Sequence, residues 1–306
     1  MTTKPKTLVV ITGPTGVGKT ATAIAMAQRL GCEIINADSR QIFKGIPIGT
    51  AAPTASEQAL AKHHFVQFKE LTDYYSAAQF ETDVMGLLPR LWTGSDYAVM
   101  CGGSMMYVDA VCKGIDSMPD VSAEVREATK REYMEVGLER MLAILQELDP
   151  QYYAIVDKHN PKRVVHAIEM CRQTGSTYSS LRTGTVKPRP FNIVKMGLNI
   201  NRPLLFDRIN SRVDSMIAMG LEQEARNVLH LRHLNALNTV GYKEMFAHFD
   251  GIMDFTTACE RIKKNTRVYA KKQLTWLARD PSIVWCTPHE AENKLFELLH
   301  KNTMCH

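Results

Sequence analysis

The residues with the clearest chemical content are Gly13, Pro14, Thr15, Gly16, Val17, Gly18, Lys19 and Thr20. They fit GxxxxGK[ST] at every fixed position. Glycines at those positions let backbone N–H groups turn inward around a phosphate. Lys19 brings a point charge to the outer phosphates, and the Thr20 hydroxyl is placed for Mg²⁺. A second candidate is Asp38, in Asn36-Ala37-Asp38-Ser39-Arg40-Gln41. A third is Gly102-Gly103-Ser104, where glycines permit close backbone approach and a hydroxyl can donate. The pattern specifies a polyphosphate but not which one.

The elements that must position these residues follow from the flanks. Apolar Leu8–Ile11 precedes the loop, and a helical run ending at Leu30-Gly31 follows it. A strand over 33–36 leads to Asp38. Ligands of α/β sheets gather beyond the carboxyl ends of strands, so Asp38 is expected beside the phosphate loop. A helix N-cap would also account for an Asp or Ser there. A strand over 97–101 ends in Gly102-Gly103-Ser104, where typical P-loop NTPases carry an acid that helps hold Mg²⁺. Its absence weakens the case for an ordinary ATPase.

Further along, 43–53 reads as a loop, 64–68 alternates like a strand, and 75–92 is a helix capped at Ser76. From 115 to 190 there is no strand signal. Helices are expected over 122–137 and 138–148, from Asp149-Pro150, and from Asn160-Pro161 to Gly175, before a flexible connector over 183–190. A strand over 193–200 is followed by helices over 203–220 and 221–231, near 239–243, and over 254–279. A strand over 283–286 and a helix from Pro288 complete the chain. The fold class expected is α/β: a P-loop NTPase-like parallel sheet core flanked by helices, over 1–114 and 191–306. An all-helical insertion over 115–190 could close over the site.

The 306 residues are 45% hydrophobic and 23% charged, with a net charge of +5, which suits a globular protein of one or two domains. No apolar run approaches the ~20 residues a membrane helix needs. The first residues lack a signal-peptide core, so a cytoplasmic, monomeric protein with no membrane association is expected. Seven scattered cysteines without a CxxC pair argue for reduced thiols over a disulfide framework or zinc site. Charge distribution is more telling than net charge. Between Arg261 and Arg279 there are seven basic residues and no acidic one. Lys263, Arg267 and Lys271 share a helical face, while Ile262, Tyr269 and Trp276 recur every seven residues and form another. A solvated basic face is the ordinary reading of such a run. Helices facing water usually mix signs, however, and a polyanion such as RNA matches this one.

The chain resembles the bacterial tRNA dimethylallyltransferase family, also called tRNA isopentenyltransferases, from about residue 7 to about residue 279. The resemblance rests on Gly13–Thr20, Asn36–Gln41, Ile48–Pro53, Gly102–Tyr107, Asn160–Arg163, Val240–Lys243 and Tyr269–Trp276, taken as an ordered set. It implies transfer of a dimethylallyl group from dimethylallyl diphosphate to N6 of the tRNA adenosine just 3′ of the anticodon. It also implies roles. Gly13 to Thr20 would cradle the diphosphate, with Thr20 helping to hold Mg²⁺. Asp38 would be the general base, with Lys19 and Ser104 at the reacting centre. Arg212, in preference to Arg208, would clamp pyrophosphate, although a salt bridge would explain either arginine.

The resemblance further assigns contacts to the tRNA anticodon stem-loop. From the core these are Asp38, Ser39, Arg40, Gln41 and Ser104. From the insertion they are Arg126, Lys162, Arg163, Val164, Val165 and His166. Later segments add Asn238, Thr239, Val240, Gly241, Tyr242 and Lys243, then Lys271, Lys272, Gln273, Leu274, Thr275, Trp276, Leu277, Ala278 and Arg279. The sequence departs from the family at Ser104 (usually Thr), Lys162 (Gln), His166 (Arg), Lys243 (Arg) and Phe246 (Trp), which bears on tRNA affinity more than on the reaction. A P-loop kinase of a small metabolite with a helical lid would explain Gly13–Thr20 and Asp38 equally well, but not the acid-free helix. A nucleotide-switched RNA-binding protein is a third reading.

Overall fold

The computed structural model describes residues 6–116 and 118–304. In chain order the elements are β1 (Thr7–Thr12), α1 (Lys19–Leu30), β2 (Ile34–Asn36), α2 (Pro47–Thr50), α3 (Ala55–Leu60), β3 (His63–His64), α4 (Ala77–Leu91), β4 (Tyr97–Cys101) and α5 (Met105–Lys113). Then come α6 (Ala123–Leu148), α7 (Pro150–Ile155), α8 (Pro161–Thr174), α9 (Tyr178–Leu181), β5 (Asn192–Leu198), α10 (Arg202–Ala218) and α11 (Leu221–Asn227). Two 3₁₀ turns, Leu229–Leu231 and Asn235–Leu237, lead to α12 (Tyr242–Phe249), α13 (Phe255–Leu277), β6 (Ile283–Cys286) and α14 (Ala291–Met304).

The six strands form one sheet in the order β3-β2-β4-β1-β5-β6, every pair parallel. β1 lies in the interior of the sheet, with Val9 opposite Val99 of β4 and Val194 of β5. All six of its residues are buried, as a strand covered on both faces requires. Side chains alternate between faces. Leu8 and Val10 join Ile35, Met100 and the helices α4 and α12, whereas Val9 and Ile11 join Ile34, Met196, α1 and α14. The loops after β1, β2, β4 and β5 therefore leave from one edge of the sheet.

The chain separates into two compact units, Met1–Cys112 with Pro188–His306, and Lys113–Lys187. The second has its own core of Met141, Leu145, Tyr152, Val156, Val164, Ala167 and Ile168. Asp149, fully buried, caps α7 through the Tyr152 N–H (2.9 Å) and also accepts from the Ser179 N–H (2.6 Å) and hydroxyl (2.9 Å). α6 is broken at Gly137, whose φ of 74° and ψ of 177° interrupt the helix where the sequence pattern changes from one run to the next.

Several expectations need correction. The strand read over 64–68 is only His63–His64, because Phe65 (φ 61°) and Gln67 (φ 46°) turn left-handed and take the chain out of the sheet. The loop over 43–53 contains α2, started by Pro47. The helix read over 221–231 stops at Asn227, and the one from Pro288 starts at Ala291. The end of the expected connector belongs to the sheet unit. Arg189 is buried there against Glu81 at 2.6 Å and also donates to the carbonyls of Ala110 and Val111, both at 2.8 Å. Removing one partner of such a pair leaves a buried charge uncompensated. Arg189→Ala is therefore expected to cost about 3–5 kcal/mol, read as a lowered urea midpoint. A shift under about 1 kcal/mol would contradict a structural role for the pair.

Candidate active site

The phosphate loop crosses from β1 to α1 at the carboxyl edge of the sheet. Gly13 has φ 145°, and a Cβ there would stand 2.5 Å from the Leu198 carbonyl oxygen at the end of β5, so no other residue fits. The N-cap of α1 is Gly18, with no side chain closing the first turn. A 12-residue helix thus presents open N–H groups and the positive end of its dipole at this point. Lys19 folds back over the loop and donates to the carbonyls of Gly13 (3.0 Å) and Pro14 (2.9 Å). Burial lowers its ammonium to about 8, with Arg212 acting in the same sense and Cys101 and Asp38 opposing.

Asp38 follows β2. Its Oδ1 accepts from the N–H groups of Arg40 (2.9 Å) and Gln41 (3.4 Å), which forms a tight turn with no helix after it. The carboxylate lies within Coulombic reach of Lys19, Arg40 and Arg212, and of the phenols of Tyr107 and Tyr269. Burial lowers both guanidinium pKa values, and Asp38 partly restores them. Ser104 joins the β4 end to this turn. Its Oγ accepts from the Ser39 N–H (2.8 Å) and donates to Ser39 Oγ (3.0 Å). A cavity of about 570 Å³ opens between the loop and α10, lined by Gly16, Gly18, Leu204, Asp207, Arg208, Ser211 and Arg212. Arg208 donates to the Val17 carbonyl at 3.3 Å, whereas Arg212 senses both Lys19 and Asp38. Arg212 is thus the arginine nearer the reacting groups.

The structure brings Gly13–Thr20, Asp38–Gln41, Ser104 and Arg212 to one sheet edge. Other residues assigned to RNA are spent inside the protein. Gln41 Nε2 donates to the carbonyls of Thr50 (3.0 Å) and Ala51 (2.9 Å). Tyr242 is fully buried and donates to Glu224 at 2.6 Å, and Glu224 also accepts from the N–H groups of Ile48 (2.8 Å) and Gly49 (2.7 Å). Gly241 is buried with its N–H on Glu244 (2.8 Å). Arg40 donates to the Asn235 carbonyl at 2.8 Å. Asn238, Thr239 and Val240 are half-buried and Lys243 is exposed.

On α13 the buried seam is Ala258, Ile262, Ala270, Gln273 and Leu277, instead of the seven-residue repeat through Tyr269 and Trp276. Lys271, Lys272, Thr275, Ala278 and Arg279 are exposed, and Leu274 and Trp276 half-buried, the Trp276 indole donating to Asp109 at 3.1 Å. The Lys263–Arg267–Lys271 face is directed at α10. Lys263 pairs with Asp214 (2.8 Å), Arg267 donates to Asn210 (2.5 Å) and Lys271 stands over the Phe206 ring. In the other unit, Lys162, Arg163 and His166 are exposed on α8, Val165 and Arg126 are half-exposed, and Val164 is in the core.

Sequence reading missed Glu224 and the true environment of Gln273. Spacing offers a signal for the latter, because 270, 273 and 277 fall on one helical face. The charge on Lys19 also carries a pH signature. The loop loses its cation as pH rises through about 8. Pyrophosphate affinity measured by calorimetry should fall about eightfold between pH 7.5 and 9, with the fraction of protonated lysine. Lys19→Arg should flatten the profile, and a flat wild-type profile would count against a buried lysine in the anion site.

The family model described as IPP transferase matches residues 41–280. The chain is 54% identical over 285 residues to a protein of Parabacteroides distasonis named tRNA dimethylallyltransferase 2, covering 93% of this chain and 95% of the relative. It is 51% identical over 300 residues to tRNA dimethylallyltransferase 1 of Bacteroides thetaiotaomicron, covering 98% and 97%. Among solved structures, a full-length tRNA isopentenylpyrophosphate transferase from Bacillus halodurans aligns with a TM-score of 0.71 and 31% identity, over 98% of this chain and 99% of that one. A eukaryotic dimethylallyltransferase acting on tRNA aligns with a TM-score of 0.74 and 25% identity, over 89% and 70%. A phosphate loop facing a carboxylate across a glycine-ended strand thus occurs here in a chain that belongs to the IPP transferase family.

Proposed function

We propose that this protein transfers a dimethylallyl group from dimethylallyl diphosphate to N6 of the adenosine 3′ to the anticodon in tRNA, releasing diphosphate. The observation that carries this reading is Asp38. It is a carboxylate at the mouth of the phosphate loop, within reach of Lys19 and Arg212, while Gly102 and Gly103 replace the acid that an ATPase strand would carry. The names of the relatives support it over a metabolite kinase.

The loop N–H groups, Lys19 and Arg212 would hold the diphosphate and stabilise the negative charge that grows on it as the allylic C–O bond breaks. The adenine amine is a weak nucleophile. As its nitrogen bonds to the allylic carbon it loses a proton, which Asp38 accepts. The base must leave its stack to reach that carboxylate, and unpaired loop bases do so at least cost. Ser104, bonded to Ser39, would hold the Asp38 turn against the β4 end. The exposed cations Lys271 and Lys272 of α13, Arg279 just after it, and Lys162, Arg163 and His166 of α8, are suited to RNA phosphates of the anticodon stem-loop.

Among the described residues no group of three His, Cys, Asp or Glu side chains could cage a metal. Mg²⁺ does not need such a cage, since it takes one or two protein oxygens along with substrate phosphates and water. The Thr20 hydroxyl, on the first turn of α1, and the diphosphate oxygens would hold it, and when bound it would offset charge on the leaving group.

Purified protein supplied with radiolabelled dimethylallyl diphosphate, Mg²⁺ and unmodified tRNA should label the RNA, and guanosine at the target position should abolish this. Absence of label in a tRNA with adenosine there sinks the reading. Asp38→Ala should lower kcat by about 10²–10⁴-fold with tRNA affinity changed less than about threefold. A variant of near-normal kcat would remove Asp38 from the role of base.

A further inference from the structure

Gln273 is the one polar side chain on the buried seam of α13, and it is 2% exposed. Both ends of its carboxamide are used. Oε1 accepts from the Thr15 N–H in the phosphate loop at 2.8 Å, and Nε2 donates to the Gly103 carbonyl after β4 at 2.9 Å. The partners fix its orientation, because Thr15 offers only a donor and Gly103 only an acceptor. A Cβ at Gly103 would stand 2.4 Å from Nε2 and 3.5 Å from Lys19 Nζ, so the bridge runs directly beside the lysine. On the same helix, Lys271 and Lys272 immediately before Gln273 and Thr275 beyond it are exposed, as is Arg279 just past the helix end.

We infer that Gln273 is a positioning residue that locks the diphosphate loop to the β4 end and so ties the loop to the helix whose outer face is basic. Three features separate this from simple core packing. A buried apolar residue would fill the space, yet this site uses a group that must donate and accept at once. The N–H it engages belongs to the anion loop itself, so the bond sets which loop N–H groups remain for phosphate. The carbonyl it engages borders the lysine that carries the loop's charge. Losing either bond frees the loop to rotate its amides away from the ligand. RNA held on the outer face of α13 would stiffen the same joint, so affinity for the diphosphate and for RNA should be linked through this side chain. That last step rests on the function proposed above; the positioning role does not.

The test uses Gln273→Met, which keeps length and volume, and Gln273→Glu, which keeps the acceptor for Thr15 but sets a carboxylate against the Gly103 carbonyl. Pyrophosphate binding is measured by calorimetry, with and without an anticodon stem-loop RNA, beside steady-state kinetics. For Gln273→Met, pyrophosphate Kd and the KM for the allylic diphosphate should rise at least tenfold while the Kd for RNA moves less than threefold. Any gain in pyrophosphate affinity that RNA gives the wild type should vanish. Gln273→Glu should bind pyrophosphate more weakly than Gln273→Met. Pyrophosphate binding within twofold of wild type, or parallel losses for pyrophosphate and RNA, overturns the assignment. Should the variants fail to fold, amide exchange in the wild type decides. Slow exchange at Thr15 without ligand supports the bridge, and rapid exchange refutes it. A wild-type protein that binds pyrophosphate but does not prenylate RNA would defeat the proposed reaction and leave this positioning role standing.

Discussion

The carboxyl edge of the sheet is governed by an imbalance of charge. Lys19, Arg40 and Arg212 converge on a single carboxylate, Asp38, in a place where burial already disfavours all three cations. Such an arrangement is costly without an anion and favourable with one. The Lys19 ammonium rests on the carbonyl dipoles of Gly13 and Pro14. On the proposed reaction, a diphosphate held by Lys19 and Arg212 would offset two of these charges. Much else in this unit keeps like charges close enough to share one guest.

That task falls to a frame of buried polar groups. Gln41 ties the Asp38 turn to α2. Glu224 ties α2 to Tyr242 of α12. Glu244 of α12 accepts from Asn265 of α13 at 2.7 Å. Gln273 then ties α13 back to the phosphate loop. Through Gly103, which Gln273 also engages, and Ser104, which accepts from the Ser39 N–H, the contacts return to the Asp38 turn, so the turn bearing the carboxylate and the loop bearing the lysine are held by one frame. Networks of this kind specify a unique arrangement when fully satisfied and are costly when broken.

The site was legible in the sequence where chemistry is local. Gly13–Thr20 dictates its own backbone, and Asp38 and Gly102–Ser104 each follow a short apolar strand, so the parallel sheet brings them together. Legibility failed where the deciding partner is remote. Asp214 neutralises Lys263 and Asn210 engages Arg267, and nothing near residue 265 announces a helix fifty residues earlier. Tyr242 and Gln41 look like exposed polar contacts until Glu224 and the α2 carbonyls are seen. His64 to Phe68 alternate as a strand would, but Phe65 packs edge-on to Phe68 and Phe80 instead of lying in the sheet. Gln273 sits among lysines and reads as one more surface residue unless helical phase is counted.

The open N-terminus of α1 has a consequence for turnover. On the proposed reaction, the substrate and the departing product share the same diphosphate, and the product carries more charge once the allyl group has gone. A site built of fixed loop N–H groups, Lys19 and Arg212 would therefore hold what it has just released more tightly than what it must next admit. The cycle would be slowed by the leaving group lingering in its cradle, and removal of free pyrophosphate would speed it.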